Sequence, residues 1–228
     1  DQTNIARLGR RWFGESFDIK DEQEFDFNFP NIDNSIPVKI AVITASAAFT
    51  PTTFNVSANG TTVGTISFTA LNKNSETAFN LGRLPSNSAF AGSENIKVKL
   101  KYNNNGVPGS KGFLDYIRLT AKRKLQGYGK QFRFQLDQSS GNLGIVNYSI
   151  SNAATIPQIW DITDIYNVTK IENASQSTLS FKADLGELRK YIALDNTDYY
   201  TPSKEARSKI ANQNLKGTLF KNRQGQFE

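Results

Sequence analysis

The feature that most constrains what this chain can fold into is a two-residue alternation of apolar and polar side chains, repeated in short runs from residue 12 to residue 194. Successive side chains of a strand point to opposite faces of a sheet, so such runs mark half-buried strands, and helical periodicity is missing between them. The first run is Trp12-Phe13-Gly14-Glu15-Ser16-Phe17-Asp18-Ile19; the next is Glu24-Phe25-Asp26-Phe27-Asn28-Phe29, whose three Phe share one face. Residues 38–49 are more continuously apolar, as in a central strand covered on both faces, and residues 53–68 break at Asn59-Gly60 into a hairpin. Further strands are expected at 77–81, at 95–102 and, after a loop rich in Asn, Gly and Pro, at 113–121. Many short strands separated by turn residues describe two sheets closed over one core. The expectation for residues 1–127 is therefore a jelly-roll-like β-sandwich, which leaves few open edges.

Gly127-Tyr128-Gly129 interrupts this series, and strand patterning restarts at Gln131-Phe132-Arg133-Phe134-Gln135-Leu136. Runs at 143–150, 158–162, 168–171, 179–183 and 191–194 supply enough strands for a second, smaller β-sandwich over residues 128–200, or else complete the first one. A length of 228 residues accommodates two modest cores. Beyond Asp195 the pattern stops: Pro202-Ser203-Lys204-Glu205 could open a single helical turn, and residues 201–228 read as a polar linker towards a further domain. The fold class expected is all-β.

Composition then removes chemistries. The chain has no Cys and no His, so it holds neither a thiolate zinc site, nor a thiol nucleophile, nor the usual general base. No catalytic residue and no cofactor site is expected in it. It also has no Met and opens on Asp1-Gln2-Thr3, which suggests a segment of a longer protein, and no long apolar span marks a membrane crossing. The net charge of +6 raises the question of nucleic acid. Lys97, Lys99 and Lys101 alternate with Ile96, Val98, Leu100 and Tyr102, however, which is the solvent face of a strand, and Lys122-Arg123-Lys124 is too short to be a strong signal; no nucleic-acid partner is expected.

Three residues are candidate binding positions. Trp160-Asp161, followed by Thr163 and Asp164, could form a sugar platform or a cation site, because aromatic faces stack on sugar rings and clustered carboxylates bind calcium. The plainer reading is a core Trp at a strand end followed by an Asx turn, and Trp12 reads as core in the same way. Asp115, if it shares a face with Ile117 and Leu119, turns its carboxylate inward and needs a partner. The five Asn-x-Ser/Thr sequons at Asn55, Asn59, Asn147, Asn167 and Asn173 fit exposed loops and strand ends, in a chain simply rich in Asn and Thr. No spacing selects a carboxylate pair for glycoside hydrolysis.

A set of phrases, taken in order, carries a family likeness: Gly9-Arg10-Arg11-Trp12-Phe13-Gly14-Glu15, Leu114-Asp115-Tyr116-Ile117 before Arg123-Lys124-Leu125, Phe132-Arg133-Phe134, Ile159-Trp160-Asp161-Ile162-Thr163-Asp164, and Tyr191-Ile192-Ala193 before Asn212-Gln213-Asn214-Leu215. Together they resemble the region preceding the peptidase domain of the type IX secretion sortases of Bacteroidota, surface enzymes of the gingipain-type cysteine peptidase family. The resemblance implies a whole protein on the extracellular face of the outer membrane that removes C-terminal sorting signals from exported cargo and attaches the cargo to lipopolysaccharide. Its catalytic Cys and His would lie in the peptidase domain beyond Glu228. The segment itself would give support or dock to cargo, or to an outer-membrane β-barrel or shuttle protein of that system. Asp115-Tyr116-Ile117 is also similar to a last-strand phrase of jelly-roll carbohydrate-binding modules, so a free-standing module of that kind is the competing expectation. An adhesion module is the third.

Overall fold

The computed structural model describes residues 3–6, 11–74, 76–174, 176–204, 206 and 209. Gly9, Arg10, Glu205, the phrase Asn212–Leu215 and nearly all of the expected linker beyond residue 204 lie outside the described residues. Among the described residues the chain is all-β, with one short 3₁₀ turn at Asp137–Gly141.

Nine strands make the first module: β1 (Ser16–Phe17), β2 (Glu22–Asn28), β3 (Val38–Ala47), β4 (Thr52–Ala58), β5 (Thr61–Phe68), β6 (Asn80–Arg83), β7 (Ala89–Phe90), β8 (Asn95–Asn103) and β9 (Lys111–Thr120). One antiparallel sheet runs β1-β9-β3-β6 with β7 also on β3, and the other runs β2-β8-β4-β5. The pairs are nested, β4 with β5 innermost, then β3 with β6, β2 with β8 and β1 with β9, which is the winding of a jelly roll. At the centre of the nest Asn59 (φ 48°) and Gly60 (φ 80°) form the tight turn between β4 and β5, where two successive left-handed residues match the twist of the strands.

The core between these sheets is made by alternate residues: Val38, Ile40 and Val42 of β3, Phe54 and Val56 of β4, and Ile96, Val98, Leu100 and Tyr102 of β8. Each such side chain stabilises the fold by about 1.5–3 kcal/mol relative to leaving it in water. On the opposite face of β8 the lysines meet acidic partners of β2, Lys97 Nζ lying 2.9 Å from Glu24 and 3.2 Å from Asp26, and Lys99 Nζ 3.0 Å from Glu22. The solvated face expected from the alternation is there, and carboxylates of the neighbouring strand answer its positive charge.

Three local expectations are corrected. β3 is not covered on both faces throughout: Lys39 is exposed and Ala41 and Ile43 are half-buried, and only at Thr44, Ala45 and Ser46 does burial become continuous. There a satellite cluster of Phe13, Phe113 and Phe79 closes over Ala45 from outside the sandwich. Trp12 is 48% exposed because Phe13 is the neighbour that enters this cluster. In β9, Leu114, Ile117 and Leu119 all face the main core, although the alternation puts Leu114 opposite the other two. The register against β3 slips between Ile43 and Thr44, so that Asp115 is an extra residue with no partner across the ladder.

The second module contains β10 (Gln131–Gln135), β11 (Ile145–Ile150), β12 (Gln158–Asp161), β13 (Thr169–Glu172), β14 (Leu179–Asp184) and β15 (Lys190–Leu194). A four-stranded sheet in the order β10-β15-β12-β13 faces a two-stranded sheet of β11 and β14, and these strands pair only among themselves. Their core holds an aromatic cluster among aliphatic side chains such as Ile150, Ile156 and Ile159: Phe134 stacks on Tyr191 and Tyr148 on Phe181, and Tyr148 and Phe181 each meet Tyr191 edge-on. The segment between the modules is bonded to both. Lys122 and Lys124 pair through their backbones with Asp33 and Asn31 of the first module, whereas Leu125 and Gly127 pair with Ser151 of the second. Pro202 to Lys204 are irregular and form no helical turn.

Candidate functional site

Asp115 belongs to the jelly roll, whereas Trp160 and Asp161 are on β12 of the second module, so the three candidates form two separate places rather than one site. As the extra residue of its bulge, Asp115 is freed from the ladder. Its carboxylate, 21% exposed, lies 3.4 Å from the Arg11 guanidinium. The partner that a half-buried carboxylate needs is thus an arginine from the chain that leads into β1.

Asp161 ends β12. One carboxylate oxygen accepts the backbone N–H of Thr163 at 3.0 Å, the Asx turn expected there, and the other accepts Arg189 Nη1 at 3.1 Å. Arg189 also reaches Glu187 at 2.9 Å. Asp164 repeats the device, accepting the N–H of Tyr166 and the amide of Asn167, and these hydrogen bonds hold its carboxyl below the usual carboxylate range. Both oxygens of Asp161 are therefore committed to protein donors, and no group of three acidic or other metal-ligating side chains occurs among the described residues. The residues present do not fit a calcium site.

Trp160 departs from the core reading. On β12 it is Ile159 that enters the aromatic core, so Trp160 and Gln158 face outward from the four-stranded sheet. Beyond β15 the chain turns at Asp195, and Gln131 Nε2 donates to Asp198 at 2.7 Å. That turn lays Tyr199 against Trp160, with ring centroids 6.1 Å apart and planes inclined by 23°. Gln158, Trp160, Val168, Lys170 and Tyr199 line an open groove of about 490 Å³, within the range of small-ligand sites. Tyr199, Val168 and Lys170 gave no sequence signal for this place, because Tyr199 comes from the irregular chain after the last strand.

Of the sequons, Asn173 breaks the expectation of exposure. It is only 7% exposed, and its amide nitrogen lies within 2.9–3.1 Å of the carbonyls of Ala153, Ile156 and Gln176. It ties the crossing loop under β12 rather than presenting a modification site. Nothing in the residues around it distinguishes it from the other four.

No protein-family model matches the chain, and no curated protein matches it. Solved structures do. Dimeric latent PorU from Porphyromonas gingivalis superposes with a TM-score of 0.69 at 18% identity, over 83% of this chain and 19% of that one. The chain thus spans about a fifth of PorU, and what the likeness shows is the fold. A CBM36 carbohydrate-binding module solved with calcium and xylotriose covers 49% of this chain and 91% of the module at 16% identity, with a TM-score of 0.33. The CBM36-1 domain of a xylanase from the hindgut metagenome of Trinervitermes trinervoides gives 0.33 over 53% and 90% at 12% identity. These two superpositions are too loose to bear on function.

Proposed function

We propose that this chain is a non-catalytic β region of a PorU-like surface sortase, supporting a peptidase domain and docking to secretion partners or cargo. The observation that carries the reading is the superposition on PorU: it runs over 83% of the chain, too far for a jelly roll alone, and takes in strands of both modules. The ordered set of phrases from Gly9 to Leu215 supports it independently, and on this reading a chain without Cys and His leaves the thiol chemistry of such a sortase to another part of the protein. On this reading the whole protein works on the extracellular face of the outer membrane, cleaving C-terminal sorting signals and passing cargo to lipopolysaccharide. The chain would meet an outer-membrane β-barrel or shuttle protein of the type IX system.

The chain, immobilised as bait, should capture such a barrel or shuttle protein from outer-membrane extracts. In cells, deletion of this region from the parent protein should leave cargo with its sorting signal attached. Capture of no secretion component, together with normal cargo processing after deletion, would sink the reading. The competing reading, a carbohydrate-binding jelly roll, loses the tryptophan it relied on, since Trp160 is not on the jelly roll.

A further inference from the structure

The outer face of the four-stranded sheet in the second module is laid out by strand register. One row across the sheet reads Arg133, Ile192, Trp160, Lys170, an apolar centre with a cation at each end. From β10 to β13 is three strand spacings, about 14 Å. Arg133 is exposed and forms no ion pair among the described residues, and Lys170 is held on one side by Glu172 at 2.7 Å. Above the Trp160–Lys170 end of this row lies the groove, with Tyr199, 52% exposed, stacked on Trp160, and Arg133 stands two strands away along the same face.

The hydrogen bonds already made decide what the groove still offers. The Trp160 indole N–H can only donate, and it does so to Gln158 Oε1 at 2.9 Å. That fixes the Gln158 amide: its oxygen faces the indole, and its NH₂ faces away, with no protein acceptor among the described residues. The Tyr199 hydroxyl has a single proton, shared between Asn196 Oδ1 at 3.0 Å and this same Gln158 oxygen at 3.2 Å. What remains for a ligand is therefore mostly donors, the Gln158 amide, the Lys170 ammonium and the Arg133 guanidinium, beside an aromatic surface. A peptide strand would bring as many N–H groups as carbonyls and find acceptors for few of them. A sugar ring brings an apolar C–H face for the aromatic pair and oxygens for the donors, and a carboxylate on it answers the cations.

We propose that this face binds a uronic-acid-containing oligosaccharide, stacked on Tyr199 and Trp160 and held by Gln158, Lys170 and Arg133. The inference is independent of the docking role proposed above, and its test uses no sortase activity. Calorimetric titration of the full 228-residue chain with tetragalacturonate should give saturable binding, and neutral galactotetraose should bind at least about tenfold more weakly. Tyr199→Ala should weaken the acidic ligand by about tenfold. Lys170→Gln and Arg133→Gln, both at exposed positions, should each weaken it by about threefold. Glu172→Gln, by releasing Lys170, should strengthen it. Absence of saturable binding, equal binding of the neutral sugar, or weaker binding in Glu172→Gln would overturn the proposal.

Discussion

The two modules solve one problem with similar materials in different frames. The jelly roll seals aliphatic and aromatic side chains together between two full sheets, and many side chains there, among them Val38, Phe54, Val56, Val98 and Leu100, are wholly buried. The second module has only a two-stranded sheet to close over its four-stranded one, and it fills the gap with Phe132, Phe134, Tyr148, Phe181 and Tyr191. A small domain has few residues to bury, so each must bury more area, and aromatic rings do that. The cost lies in the polar tips: the Tyr148 hydroxyl is buried without a hydrogen-bond partner.

If the cores are as separate as their contents suggest, damage to one should leave the other standing. Phe54→Ala should cost the jelly roll about 3–5 kcal/mol, and Tyr191→Ala should do the same to the second module. The two tryptophans report separately, Trp12 beside the jelly roll and Trp160 on the second sheet, so Trp12→Phe and Trp160→Phe backgrounds followed by fluorescence during urea unfolding assign each loss. A single transition shifted equally by both substitutions would break the comparison and make the chain one cooperative unit.

Smaller changes sharpen it. A Cβ on Gly112 would lie 2.5 Å from Phe54 Cζ and 2.8 Å from Tyr102 Cδ2, so Gly112→Ala should cost the jelly roll about 1–3 kcal/mol through overpacking. Asn173→Ala should cost the second module a similar amount, about 1–3 kcal/mol, by leaving buried carbonyls without their donor. Alkali should discriminate as well. Burial pushes the Tyr191 phenol up to about 12 and raises Tyr148 too. The unfolded phenols lose their protons near pH 10, so this stability is complete below about pH 10 and falls by up to roughly 1.4 kcal/mol per pH unit for each tyrosine above it. The transition reported by Trp160 should therefore move to lower urea between pH 10 and 12, ahead of that reported by Trp12. The smallest effects should be gains: Tyr148→Phe in one module and Thr44→Val in the other remove buried, unpartnered hydroxyls and should be neutral or slightly stabilising in the same assay.

Much of the fold was legible in the alternation itself. The hairpin at Asn59-Gly60, the Lys-faced β8, the restart at Gln131 and the Asx turn at Asp161 follow from local chemistry that the sequence displays. Phase was harder. In Gln158-Ile159-Trp160-Asp161 either of two adjacent apolar residues could face the core, and size alone favours Trp160, the one that turns outward. In β9 the alternation breaks at a bulge, and the slip that inserts Asp115 is set by its pairing with β3, not by its own neighbours. The groove was legible only through Trp160. Tyr199, Lys170 and Val168 reach it through sheet register and a turn, and strand patterning carries no information on either.

The nested winding also has a kinetic meaning. Ser16 pairs with Phe113 and Glu22 with Lys101, so the outermost strands find their partners only after most of the first module has been made. Contacts so distant along the chain must be closed against a large loss of entropy, which places such topologies among the slow-folding domains, on the scale of milliseconds to seconds. A chain emerging from its N-terminus cannot lock this module early. The inner pairs β4–β5 and β3–β6 can form first, but β1 and β2 stay without their ladder partners until β9 and β8 arrive.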